Sequence, residues 1–212
     1  MPRTNTTAQR SFSRPGSVTY EMPIPGGDHI VTIKLPPRST WTSGLHWHEF
    51  HTEFLSILQG TALVTLGSST KTYDPGDGPI RVDRFTVHEW RRLPPAEDPD
   101  AGVELIVQEW TDPADGEKEL FFRNLNSVIL DAMTSKPSLL QWMPTGLWID
   151  WQVMVICHGY DNYPVFVGTG TLRGLVTHAW LFLVAIVGRF YGLRASYDEY
   201  MLRNEQAQYK GK

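Results

Sequence analysis

The stretch His46-Trp47-His48-Glu49-Phe50-His51-Thr52-Glu53, closed by Gly60 and answered later by Pro75-Gly76-Asp77 and His88, decides the reading of this chain. Strand side chains alternate faces, so His46 and His48 point to the same side of an extended segment. Two imidazoles converging from one strand suit a divalent metal, Glu53 adds a charged oxygen donor, and His88 brings a third nitrogen from a later strand. His46 and His48 share one parity and Glu53 has the other, so a single continuous strand cannot present all three to one ion. A corner at Phe50 to Thr52 resolves this, with a new strand from Glu53 to Leu58. Gly60 then permits the next turn into Thr61 to Leu66. Three neutral imidazoles and one carboxylate sum to a charge of minus one. A divalent ion leaves the site net positive, with open positions if the ion is octahedral.

The spacing H-x-H-x4-E-x6-G resembles the first motif of the cupin superfamily, small β-barrels of the double-stranded β-helix type. The pair, the Glu and the closing Gly fit; the opening Gly does not, because Gly44 lies only two residues before His46. The second motif is degenerate. Gly76, Asp77 and His88 are present, Asp83 and Phe85 stand where Pro and Gly are expected, and Arg92 replaces Asn. The resemblance covers residues 18 to 110. It implies a mainly β fold, a cupin-type barrel with a C-terminal α-helical extension, and His46, His48, Glu53 and His88 as ligands of one divalent metal ion: Fe, Zn, Mn or Ni. Metal-free members of the superfamily have usually lost these ligands.

Beyond the motif, residues 18 to 110 read as short strands with turn signals between them, the pattern of an all-β barrel or sandwich. Residues 1 to 17, rich in Thr, Ser, Arg and Pro, read as a flexible arm without the apolar core of a secretory signal. After Trp110 the pattern changes, and residues 111 to 212 read as a helical extension packed on the barrel. Thr111-Asp112-Pro113 is a helix-start signal, and Leu120, Phe121, Leu125, Val128, Ile129 and Ala132 recur on one helical face. A second apolar segment, Leu139 to Ile156, is split near Pro144 and Gly146. A third runs from Pro164 to Leu193. Its uninterrupted apolar run, Ala179 to Val187, is shorter than the roughly 20 residues a bilayer span needs. A buried helix is the favoured reading, with peripheral membrane contact through 164–193 left open by Trp180, Phe182, Phe190 and Tyr191. The order of barrel, Phe121-Phe122-Arg123-Asn124-Leu125 helix and the end Gly192 to Tyr200 resembles fungal secondary-metabolism cupins.

Composition narrows the function. The 212 residues carry a net charge of −4 with no basic stripe, which argues against nucleic-acid binding. A single cysteine, Cys157, excludes an internal disulfide framework and suits a reducing, cytoplasmic setting; its apolar flanks make it a buried thiol. His51, in the predicted corner, is either a base beside the metal or a solvated turn histidine. Trp90 shares the parity of His88, and Leu55 and Ile57 that of Glu53. These three either line an apolar substrate pocket or pack the core. Trp47 points away from its flanking ligands and packs. His29, His158 and His178 read as structural.

The expected activity is that of a metal-dependent enzyme acting on a hydrophobic, oxygenated small molecule, aromatic or polyketide-like. Fe-dependent dioxygenation and redox-neutral Lewis-acid chemistry (isomerase, lyase or cyclase) both fit the ligand set. The alternative is a non-catalytic, small-molecule-binding cupin. Assembly as a homodimer is open.

Overall fold

A computed structural model describes residues 3–98, 100–166 and 170–201. Along them run strands β1 (Ser11–Arg14), β2 (Val18–Glu21), β3 (Val31–Leu35), β4 (His46–Trp47), β5 (Thr52–Gln59), β6 (Ala62–Leu66), β7 (Ser69–Tyr73), β8 (Ile80–Val82), β9 (His88–Arg92) and β10 (Leu105–Asp112). Helices α1 (Glu117–Thr134) and α2 (Thr145–Gly159), the short strand β11 (Tyr163–Pro164) and helix α3 (Gly170–Phe190) follow. The chain forms two compact units.

The β unit comprises Arg10–Glu119 and Asp161–Val165. One antiparallel sheet has the order β1-β2-β3-β10-β5-β8, the other β11-β4-β9-β6-β7. Without the outer strands β1, β2 and β11, the orders β3-β10-β5-β8 and β4-β9-β6-β7 are those of a double-sheet jelly roll. Period-2 patterning builds it. Val31, Ile33 and Leu35 of β3 and Leu105 and Val107 of β10 are fully buried, and the residues between them face outward. Each such side chain contributes about 1.5–3 kcal/mol by leaving water.

Two turns place the histidine–glutamate segment. Gly60 has φ +77°, and a Cβ there would meet the Glu104 carbonyl at 3.0 Å and Leu105 Cα at 3.1 Å. The closing glycine of the motif is therefore required both for its backbone conformation and for space against β10. Phe85 adopts φ +64° at the position where the resembling motif has glycine. Its N–H donates to the His48 carbonyl at 2.6 Å, which ties the approach to β9 to the ligand segment.

The strand pattern expected between residues 18 and 110 is present, but the unit extends beyond those bounds. Ser11–Arg14, expected as part of a free arm, pairs with β2 and buries Phe12. The Thr111-Asp112-Pro113 signal does not start a helix, because β10 continues through Asp112 along β5. The helix begins at Glu117, whose N–H is taken by Asp115 Oδ1 at 3.0 Å.

The helical unit comprises residues 3–9, 120–160 and, in its described part, 166 and 170–201. Here too the N-terminus is engaged. Asp131 accepts the Thr4 N–H at 3.0 Å and the Tyr200 hydroxyl at 2.5 Å, and the Arg3 guanidinium lies 4.1 Å from the Tyr197 ring centre. Ala132, Leu140, Trp148, Val155, Val184 and Leu193 form its core. Cys157 is a buried free thiol. His158 lies with Arg189 and Arg194 on an open pocket of about 530 Å³ walled by Val155, Phe182 and Leu193. Helix α3 is not the buried helix expected. Thr177, Leu181, Val184, Ala185 and Gly188 form its inner face, while Leu175 and Phe190 are 70% and 84% exposed.

Candidate metal centre

His46 on β4 faces His88 on β9 across their shared register, while Glu53 comes from β5 in the other sheet and His48 from the first residue past β4. All four are buried, and their donor atoms lie within 4.8 Å of one another. Glu53 Oε2 is 2.7 Å from His48 Nε2, 2.8 Å from His88 Nε2 and 4.0 Å from His46 Nε2. Around an ion with bonds of about 2.1 Å, adjacent donors are separated by roughly 3 Å and opposite ones by roughly 4 Å. The observed separations suit such an arrangement.

The outer nitrogens fix the rings. His46 Nδ1 faces the Gly44 carbonyl at 2.7 Å, His88 Nδ1 the Thr86 carbonyl at 3.0 Å, and His48 Nδ1 the carbonyl of Asp161. A carbonyl only accepts, so each Nδ1 carries the proton and each Nε2 of a neutral ring offers its lone pair inward. Metal-ligating histidines are oriented in this way. Two inward lone pairs pressed against a carboxylate oxygen need a positive charge among them, which a proton or a divalent ion would supply. Burial, reinforced by the neighbouring rings, holds His46 well below the ordinary histidine range. Burial likewise lowers His48, against the pull of Glu53. Burial alone would raise Glu53, but Lys118, His88 and His48 outweigh it and hold the carboxyl well below its usual range. Neutral rings and an ionised carboxylate are the forms that bind metal. Protons compete for His46 and His48 only below their lowered values. Metal affinity is therefore expected to hold down to pH 6.5, the ordinary histidine value, and to fall only at lower pH. Calorimetric titration at stepped pH checks this, and a decline beginning above 6.5 would contradict it.

Several neighbours of the centre have no counterpart in the sequence reading. Lys118, in the first turn of α1 and 9% exposed, places Nζ 2.6 Å from Glu53 Oε1 and 3.2 Å from Glu109 Oε2. Glu53 is thereby divided, with Oε1 on the ammonium and Oε2 on the imidazoles. Glu109, 3% exposed, also accepts Trp90 Nε1–H at 2.5 Å. Burial pushes its carboxyl up to about 7, with Lys118 opposing and Glu53 assisting. Its parity with Leu105 and Val107 on β10 is a sequence signal for an inward carboxylate. Asp161 carries none. Its carboxylate takes the backbone N–H of Glu49 at 2.7 Å and those of Phe50 and His51 at 2.9 Å each, so it holds the corner that the parity break requires. Next to it, β11 pairs Tyr163 with Trp47 and Pro164 with His46.

The remaining predicted residues fall as follows. Trp90, Leu55 and Ile57 are buried at 1%, 0% and 4% exposure, and Trp90 packs on Trp41 with ring centres 5.0 Å apart. His51 is not among the four converging donors: its Nδ1 is 2.7 Å from Asp161 and its Nε2 faces Asp115. Trp47 is buried and donates Nε1–H to Glu49 at 3.1 Å, as its packing role requires. Arg92, where the motif has Asn, pairs in full burial with Asp98 at 2.9 Å. His29 pairs with Glu119 at 3.0 Å.

No family model and no curated protein matches the chain. Solved structures do. The capsular polysaccharide assembling protein CapF from Staphylococcus aureus is 13% identical with a TM-score of 0.36, the match covering 48% of this chain and 29% of that one. KdgF from a Halomonas species is 20% identical with a TM-score of 0.35, covering 46% of this chain and 82% of that one. Oxalate decarboxylase from Lactobacillus farciminis is 17% identical with a TM-score of 0.30, covering 44% and 23%. This chain thus spans less than a third of CapF and of the decarboxylase. The strand order on its own defines a double-sheet jelly-roll β-barrel, here followed by helices, with a histidine–glutamate cluster inside that could hold a metal.

Proposed function

We propose that this chain is a metal-dependent cupin enzyme that acts on a hydrophobic, oxygenated small molecule of aromatic or polyketide type. The observation that carries the reading is the set of three carbonyl-anchored imidazoles directed at one oxygen of Glu53, whose other oxygen is neutralised by Lys118. A bound divalent ion would supply Lewis-acid polarisation of a substrate oxygen or, as Fe, activation of O2. The chain's own contribution is protonic and steric. Glu109, with its carboxyl pushed up to about 7, could hold a proton near neutral pH, with Lys118 at its Oε2 and Trp90 Nε1–H fixing its Oε1. Trp90, Leu55 and Ile57 supply the apolar wall.

The purified, untagged protein is expected to carry about one divalent ion at the four-ligand centre, and His46→Ala and His88→Ala are expected to lose that ion. Elemental analysis decides; full occupancy in both variants would overturn the four-ligand assignment. Oxygen uptake with phenolic and enolisable substrates, on Fe-loaded against Zn-loaded protein, separates dioxygenation from redox-neutral chemistry. Metal-bound protein with no turnover in either form would return the barrel to a binding role.

The same reading includes contact with a lipid surface. By length and composition Gly170–Phe190 is apolar enough to cross a bilayer, and 22% of its most apolar window is buried. Its exposed residues include Leu175, Phe182, Leu183 and Phe190. It has no acidic residue, and Arg173 and Arg189 stand near its two ends. Such a surface suits anionic lipid. The protein is expected to float with phosphatidylserine vesicles, and Phe182→Glu/Leu183→Glu to abolish flotation. Parent protein that stays with the soluble fraction and runs as a dimer would instead assign this face to a second copy.

A further inference from the structure

We propose that His51, Asp115 and Glu117 form a second divalent-cation site in the β unit, separate from the four-ligand centre. Their candidate donor atoms lie within 4.8 Å of one another. The His51 side chain is 7% exposed, and its Nε2 is buried, without a hydrogen-bond partner, 3.3 Å from Asp115 Oδ1. An unpartnered ring nitrogen in that position costs stability unless something positive occupies the space between it and the carboxylates.

The surroundings are those of a metal ligand. His51 Nδ1 lies 2.7 Å from Asp161 Oδ2, a carboxylate that also takes the His51 backbone N–H. This leaves Nε2 as the outward donor, the carboxylate–histidine–metal relay that fixes ring angle and raises ligand basicity. The carboxylates are oriented as well. Glu117 Oε1 accepts the Asp161 N–H at 2.7 Å, and Asp115 Oδ1 accepts the Glu117 N–H at 3.0 Å. Asp161 therefore connects to two of the three donors, once through its side chain and once through its backbone.

Charge and access point the same way. Two carboxylates with a neutral imidazole sum to minus two, which a divalent ion balances fully, whereas the four-ligand centre sums to minus one. One nitrogen and two oxygens select Zn(II), Mn(II) or Co(II) over thiophilic ions, and the nitrogen disfavours Ca(II). The Asp115 side chain is 30% exposed, so the ion has a route in and water can fill its remaining positions.

The test uses the full chain, stripped with chelator and titrated with Zn(II) alone. The parent is expected to bind two equivalents. His88→Ala should keep the second, and Asp115→Asn/Glu117→Gln should keep only the first. A parent that binds a single equivalent lost in His88→Ala overturns the proposal, as does a second equivalent that survives Asp115→Asn/Glu117→Gln. Failure of the four-ligand centre reads differently, as a single equivalent indifferent to His88→Ala. Nitrogen-15 NMR of the parent's imidazoles removes dependence on variants that fail to fold. With the first equivalent bound, the second should move the His51 Nε2 resonance. A resonance that stays fixed to millimolar Zn(II) overturns the assignment.

Discussion

Lys118→Met is expected to lower the stability of the metal-free protein by about 3–5 kcal/mol, the usual cost of removing one partner from a buried ion pair. Lys118 stands between Glu53 and Glu109, which are 1% and 3% exposed, and its ammonium reaches both carboxylates. Methionine fills the same volume without the charge, so two carboxylates would face each other in the interior. Glu109, already pushed up to about 7, would take a proton first, leaving Glu53 to bear the remaining cost. Two further measurements identify the cause. Metal loading should recover part of the loss, because the ion supplies positive charge at Glu53 Oε2. Adding Glu109→Gln should recover another part, since the amide oxygen still accepts from Trp90 and carries no charge. Urea unfolding with and without metal reads both. A Lys118→Met protein within 1 kcal/mol of the parent, insensitive to Glu109→Gln, would show that the triad has no energetic role.

Asp161→Ala is expected to cost a similar amount by a different route. The carboxylate accepts three backbone N–H groups of the 49–51 corner and the His51 ring. Each buried donor left unsatisfied costs about 1–3 kcal/mol, with partial relief from water at the more exposed Phe50. Metal affinity at the four-ligand centre should fall about 10–100-fold, the range for loss of an orienting group, because His48 and Glu53 flank the slackened corner. The pH dependence has a defined sign. Burial would raise the Asp161 carboxyl, but His51 and the backbone donors hold it below its ordinary value of 3.8. Its stabilisation is thus fully present above 3.8 and is lost as pH falls through the lower folded value, so parent and variant should converge in strong acid. A gap that persists there would mean the carboxylate's charge is not what holds the corner.

How far the centre could be read in advance follows from the range of each interaction. His46, His48, Glu53 and Gly60 are local: alternation, a parity break and a turn glycine are visible within fifteen residues, and the structure keeps all of them. His88 needed the resemblance, because the residues around it depart from the motif. Phe85 shows why the departure is tolerated, since a non-glycine residue takes the left-handed conformation there. Glu109 was legible in principle as a charge on the inward parity of an apolar strand. Lys118 was not, because a lysine one turn into a helix is ordinarily solvated. Asp161 meets His51 across 110 residues, a distance that no local pattern encodes. Strand β1 was masked by the arginines and serines around it. Helix α3 was read as buried because hydrophobicity reports what a surface avoids, and the sequence does not say which neighbour covers it.

The split composition of the β unit bears on how the chain is made. Its last strand, β11, and the Asp161 corner staple lie after α2, while the four residues of the histidine–glutamate centre all precede α1. During synthesis the ligand-bearing strands leave the ribosome with their corner uncapped and the edge of β4 bare, and they stay so until α2 has been translated. Nascent chains arrested before residue 161 should therefore acquire metal poorly and be cleaved by protease near Phe50, whereas chains extended past β11 should be protected. An excised barrel would need residues 161–165 returned to it, either as a grafted segment or as a peptide in trans.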